Sequence, residues 1–264
     1  MELRAFALAV LMTPFVVTAQ TFQPYEGQPG KDVVWVPTPR ALVEKMLDLA
    51  SVTSRDFVVD LGSGDGRLVI AAAKRGARAL GVEYDADMVA LAKRNAEQAG
   101  LAEKAKFLQG DMFEADFAQA SVLALFLLPA NLRLLVPKFL EMPAGTRIVN
   151  NGYRIEGWDE DSTVVVNDDC VHWCTAYLYI VPARLAGTWR LPSGEATFTQ
   201  EYQTLNGTLL MSDGREVKAS GTVKGDRVRF TAGLDVYTGR VQGDRITGEA
   251  SGAFGGRWTA TRLR

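Results

Sequence analysis

The sequence predicts an α/β domain built on a parallel sheet, followed by a small antiparallel all-β domain. Three observations carry this. From about Asp32 to Ala183, helix-period and strand-period stretches alternate, which implies a parallel sheet with helices on both faces. From about Arg184 to Arg264, only short strands and glycine turns occur. The charge also divides there. Residues 1–183 carry 17 basic and 23 acidic side chains, and residues 184–264 carry 12 and 8. Pro182 marks the boundary.

The chain opens on a targeting pattern. Arg4 precedes an apolar run, Ala5 to Val17, of 13 residues, too short to span a bilayer of ~30 Å as a helix. Val17-Thr18-Ala19 then offers small residues at a signal-peptidase site. Residues 1–19 are therefore expected to be a cleaved signal, with a membrane anchor at 5–17 or a buried helix as the other readings. Residues 20–31, with Pro24, Gly27, Pro29 and Gly30, read as an irregular leader.

In the α/β part, residues 32–183, Thr38 is the expected N-cap of a first helix and Pro39 its first residue. Leu42, Val43, Met46, Leu47 and Ala50 give it an apolar face. Phe57-Val58-Val59 is a buried strand, and a helix follows from Leu68 to Lys74. Ala79 to Glu83 is the second strand, and Asp85 caps a helix closed by Gly100. Further strands are expected at 106–109, 122–128 and 146–150, with a helix at 131–141. Residues 163–166 and 175–181 read as a terminal hairpin. About ten residues, Tyr153 to Ser162, join the fifth strand to this hairpin, so the usual crossover helix is expected to shrink to a loop, with Trp158 exposed or against the sheet.

Composition removes several functions. A net charge of -2 gives no basic field for nucleic acid, and a single histidine, His172, excludes any multi-histidine site. Two cysteines cannot form a four-cysteine zinc site. What remains is the turn Asp60-Leu61-Gly62-Ser63-Gly64-Asp65-Gly66-Arg67 between a strand and a helix. Glycines there permit a tight turn and close approach of a ligand. Arg67 stands where a dinucleotide loop needs its last glycine, and no phosphate-loop lysine follows. Glu83 ends the next strand, where a carboxylate can accept from both ribose hydroxyls, and Asp111 follows the third strand, placed for an adenine amino group.

These residues resemble the class I S-adenosylmethionine-dependent methyltransferases, over roughly residues 34–183. Val59 to Arg67 looks most like the Dot1-like lysine methyltransferases, closest to the subgroup that includes the ATP synthase c-subunit lysine methyltransferase. Val36-Pro37-Thr38 and Gly81-Val82-Glu83 match that subgroup too. The resemblance implies a Rossmann-like seven-stranded sheet, S-adenosyl-L-methionine as cofactor, and methyl transfer to protein lysine. It implies that Asp60, Gly62, Ser63, Gly64 and Gly66 surround the methionine end, with Thr38 near the methionine carboxylate. Glu83 would bind ribose, and Asp111 and Met112 the adenine. Leu127-Leu128-Pro129-Ala130-Asn131 is not the Asn-Pro-Pro-Tyr signature of amide and base methylators, which argues against nucleic acid. A small-molecule acceptor, or a non-catalytic protein that keeps the pocket, are the alternatives. No catalytic base is identified; Tyr84, Asn131 and Tyr153 qualify only by lying near strand ends.

Asp159, Glu160, Asp161, Asp168 and Asp169 form an acidic cluster, read as a solvated face or as bait for a basic protein. Cys170 and Cys174 read equally as a local disulfide or as free thiols. In residues 184–264, Gly221 to Val228 recurs as Gly239 to Ile246, and its Gly-Asp pairs signal hairpin turns. A meander or small barrel follows, with Trp189 and Trp258 near its ends, serving substrate or envelope recognition or acting as a structural accessory. Export is expected, periplasmic or in the cell envelope, although S-adenosylmethionine is a cytosolic metabolite.

Overall fold

A computed structural model describes residues 22–168 and 170–263. The expected signal at 1–19 lies outside the described residues, as does Asp169 of the acidic cluster.

Helix α1 (Arg40–Leu49) leads into β1 (Phe57–Leu61), α2 (Arg67–Lys74), β2 (Arg78–Glu83), α3 (Ala86–Gln98), β3 (Ala105–Gln109), β4 (Val122–Leu125), α4 (Pro129–Phe139) and β5 (Arg147–Asn151). β6 (Ser162–Val165) and β7 (Thr175–Ile180) complete a seven-stranded sheet in the order β3-β2-β1-β4-β5-β7-β6. β1 to β5 pair in parallel, and β7 runs antiparallel to β5 and β6. The carboxyl ends of β1–β5 and the start of β7 therefore share one edge.

Buried side chains of α1, α2 and α3 pack on one face, with Leu42, Met46, Val69 and Ala92 fully buried. On the other face, Leu132, Leu135 and Phe139 of α4 pack with Leu123, Leu125 and Tyr179. After β5 no helix forms. Trp158, 2% exposed, covers the sheet there, against Tyr179 (centroids 5.5 Å apart).

Three local expectations change. Thr38 does not cap α1: Pro39 takes the N-cap position and no side-chain cap forms, while the Thr38 carbonyl accepts from Arg67 Nη1 at 2.7 Å. β4 ends at Leu125 instead of Leu128. There the Asn150 side chain takes over the backbone, its Oδ1 accepting from Leu127 N at 3.1 Å and its Nδ2 donating to Tyr153 O at 2.9 Å. α4 begins at Pro129, before Asn131, because proline is preorganised for a first helical position.

The second part is a closed eight-stranded antiparallel barrel: β8 (Gly187–Leu191), β9 (Gly194–Glu201), β10 (Thr204–Met211), β11 (Glu216–Lys224), β12 (Arg227–Ala232), β13 (Asp235–Gln242), β14 (Arg245–Ser251) and β15 (Gly256–Arg262). β15 closes onto β8 through Thr261 opposite Arg190. The sequence repeat is the pair of hairpins β11–β12 and β13–β14. Trp189, Phe198, Phe230, Tyr237 and Trp258 fill the interior, and Phe230 stacks on Tyr237 at 4.7 Å. Closure removes exposed strand edges.

The barrel docks where the crossover helix is missing. Tyr202, between β9 and β10, stacks on Trp158 at 5.2 Å. Lys224 pairs with Asp161 at 3.2 Å, and Gln203 Nε2 donates to the Asp159 carbonyl at 3.1 Å. Asp161 also accepts from Ile180 N at 2.7 Å, and Glu160 pairs with Arg154 at 2.7 Å. Within the acidic cluster, the carboxylates of Glu160 and Asp161 are thus engaged by the chain's own groups, while the side chains of Asp159 and Asp168 are exposed.

Candidate functional site

A cavity of about 380 Å³ runs along the shared carboxyl edge of the sheet, where α/β folds bind ligands. Its two ends differ. Under β1, β2 and β3 it is lined by Asp60, the glycine loop, Glu83, Gly110 and Met112. Beyond β4, β5 and before β7 it is lined by Phe126, Leu128, Tyr153 and Trp173.

The glycine loop is tied down from two sides. Gly62 N and Ser63 N donate to the Val82 carbonyl at 2.8 and 3.0 Å. Glu83 accepts from Gly64 N at 2.9 Å and from Asp85 N at 3.0 Å, so one carboxylate joins the loop to the start of α3. Asp85 in turn caps α3, accepting from Asp87 N at 2.8 Å. Gly66 holds the left-handed N-cap of α2 at φ 82°, and a methyl group there would meet Phe107 at 2.6 Å. Arg67 pairs with Asp65 at 2.6 Å and so anchors the loop to the Thr38 carbonyl.

Asp60 is 3% exposed. Burial, then the charges of Glu83 and Asp65, push its carboxyl well above the usual carboxylate range. A buried carboxylate beside two others is a place for a cation. Ser63 Oγ, also buried in the cavity wall, has no hydrogen-bond partner among the described residues. Both observations fit an ammonium-bearing, polar ligand in this end.

Of the nine residues expected at the cofactor site, Thr38, Asp60, Gly62, Ser63, Gly64, Gly66, Glu83 and Met112 lie in the cavity wall or the loop that forms it. Asp111 lies between Gly110 and Met112 of the cavity wall, its carboxylate accepting from Phe113 N at 2.9 Å and from Lys31 Nζ. Lys31 belongs to the leader, which carries no helix or strand, as expected; Gln28 to Pro37 form a wall of the cavity, closed by Gly27 N donating to Trp35 O at 2.8 Å. Trp35 lies so close to the loop that a methyl group on Gly64 would come within 2.5 Å of its Nε1. Tyr84 and Tyr153 line the cavity; Asn131 does not, being buried in α4. Cys170 and Cys174 are disulfide-bonded. Trp35, Phe126, Leu128 and Trp173 carried no sequence signal beyond being apolar.

Residues 60–162 match the family profile of the ANTKMT methyltransferase domain. A protein-lysine N-methyltransferase of Saccharolobus islandicus is 38% identical over 152 residues, which are 56% of this chain and 94% of that protein. This chain belongs to the S-adenosylmethionine-dependent methyltransferase family. The mouse lysine N-methyltransferase of the ATP synthase c-subunit is 37% identical over 118 residues, 44% of this chain and about half (48%) of that relative. The crystal structure of an RNA methyltransferase from Salinibacter ruber, solved with S-adenosyl-L-homocysteine, is 41% identical with a TM-score of 0.53. It covers 57% of this chain and 96% of that one. The profile match in this methyltransferase falls wholly within the α/β part, and the barrel stands outside it.

Proposed function

We propose that this methyltransferase transfers methyl from S-adenosylmethionine to the side-chain amine of protein lysine. The carrying observation is the division of one continuous cavity into a carboxylate end at the glycine loop and an apolar, aromatic end beyond β4. The Saccharolobus and mouse relatives, both lysine methyltransferases by name, support the same acceptor.

When bound, S-adenosylmethionine supplies a methyl group already activated by its sulfonium. The chain's own residues do the rest. Asp60 attracts the ligand's ammonium group. Glu83, already oriented by Gly64 N and Asp85 N, presents remaining lone pairs to the ribose hydroxyls. Met112 and Tyr84, both in the cavity wall, would flank the adenine. Phe126, Leu128 and Tyr153 exclude water from the acceptor end. An alkylamine entering there must lose the proton it carries at its ordinary pKa of about 10.4 before it attacks.

RNA is the second reading, raised by the Salinibacter relative. Phosphate recognition needs free cations at the rim. Lys31 is paired with Asp111 and Arg67 with Asp65, which supports a protein acceptor instead. We also propose export through residues 1–19. The Cys170–Cys174 bridge supports it, since disulfides persist in oxidising compartments; N-terminal sequencing of the mature protein should begin at Gln20. Among the described residues, no helix is long and apolar enough to cross a membrane.

The acceptor is tested by incubating the protein with methyl-labelled cofactor and cell-envelope extract, followed by mass spectrometry. Methylated lysine is the expected product. Label confined to RNA, a lipid or a small molecule would overturn the assignment.

A further inference from the structure

We infer that Trp173 is a specificity-determining residue of the acceptor site, positioned by the Cys170–Cys174 bridge, and that it completes an aromatic cage for an alkylammonium. This rests on the lysine reading above.

Three elements bring the cage together. Phe126 follows β4, Tyr153 follows β5, and Trp173 comes from the β6–β7 loop. The Trp173 ring lies 5.7 Å from that of Phe126 and 5.1 Å from that of Tyr153, and all three rings line the cavity. Trp173 is 38% exposed, so part of it lies open to an incoming ligand. Gly152 makes room for it: a methyl group there would lie 2.9 Å from Trp173 Cε3.

The bridge explains how a loop holds so bulky a group. Trp173 has φ 60°, in the left-handed region that bulky residues avoid. Its neighbour Cys174 is tied to Cys170 across four positions, so the turn is closed covalently rather than by packing alone.

Aromatic faces attract cations, and quaternary or methylated ammonium groups most of all, because their hydration is weak. The cage would hold the lysine ammonium before it loses its proton and the methylated product between rounds. Each round forms one C–N bond, breaks one C–S bond and releases one proton to solvent. The cage therefore favours repeated methylation of one lysine.

The probe is tetramethylammonium, titrated calorimetrically into the full chain saturated with S-adenosylhomocysteine. Wild type should bind it, and Trp173→Ala should weaken binding about tenfold, with Trp173→Phe restoring most of it. S-adenosylhomocysteine affinity should stay within about twofold in both variants, since its end of the cavity lies under β1–β3. On a lysine substrate, Trp173→Ala should raise acceptor KM and accumulate monomethyl product. Cys170→Ser/Cys174→Ser, or a thiol reductant on wild type, should act in the same direction, and the reductant should do nothing further to the double variant. Gly152→Ala should reproduce the effect by displacing the Trp173 ring, since its methyl group would lie 2.9 Å from Cε3. Tetramethylammonium binding equal in wild type and Trp173→Ala would overturn the cage, whatever the acceptor. Cage binding by a wild type that methylates no lysine would instead remove the lysine reading and, with it, the acceptor role assigned to Trp173.

Discussion

At the β1–β3 end of the cavity the working groups are carboxylates and backbone amides fixed by the strands themselves. At the β4–β7 end they are rings delivered by three separate loops. The first end is held by hydrogen bonds of 2.8 to 3.0 Å between the glycine loop, Val82 and Glu83. The second is held by ring packing and one covalent bridge. A shared donor needs the same atoms bound in every relative, whereas the acceptor can differ. The rigid, polar end therefore suits the donor, and the loop-built end suits acceptor choice.

Mutations at the two ends should therefore have different effects. Glu83→Ala should have the largest effect. It removes a charged acceptor of two backbone amides and of the ribose, and should weaken S-adenosylhomocysteine binding about a hundredfold by calorimetry. Gly64→Ala forces a side chain onto φ 53° and into Trp35, and should cost roughly thirtyfold in the same affinity. Phe126→Ala should do the opposite, raising acceptor KM about tenfold while donor affinity moves less than about twofold. If it abolished donor binding, the division would be wrong.

Asp60 sharpens the comparison through pH. Its folded pKa is raised, so the free protein loses stability as pH climbs from the ordinary value of 3.8 through the raised one. Asp60→Asn should therefore raise the Tm of the ligand-free protein at neutral pH and weaken S-adenosylhomocysteine several-fold, by about 1 kcal/mol. Across the pH range in which Asp60 titrates in the free protein, binding the ligand's ammonium should release a proton, visible as a buffer-dependent calorimetric enthalpy; Asp60→Asn should abolish that release. The smallest effect is expected for Lys31→Ala. Lys31 pairs with Asp111 at the surface, and its loss should change donor affinity by about twofold at most.

The sequence made the donor end readable because its residues are local. Asp60, three alternate glycines and Glu83 each end or follow a strand, and strand spacing fixes where they meet. Asp111 follows the same logic, but its carboxylate is also held by Lys31, 80 residues earlier, a partner that strand spacing does not reveal. Thr38 carried a good capping signal, but Arg67 claims its carbonyl and the helix starts one residue later than expected, at Arg40. The acceptor end was unreadable for a related reason. Phe126 and Leu128 look like strand residues until Asn150 ends β4 early. Trp173 reaches the cavity only through a turn whose bridge the cysteine spacing left open. The barrel's hairpins, by contrast, followed from the sequence repeat, which left a meander and a closed barrel both open, and its docking on Trp158 through Tyr202 carried no sequence signal.

The most direct test of the divided cavity is a crystal structure with S-adenosylhomocysteine and a lysine-bearing peptide bound. The ligand's ammonium should lie beside Asp60, its ribose on Glu83, and its sulfur should face a lysine amine among Phe126, Tyr153 and Trp173. A ligand with its adenine at the aromatic end, or a lysine entering away from those three rings, would contradict it.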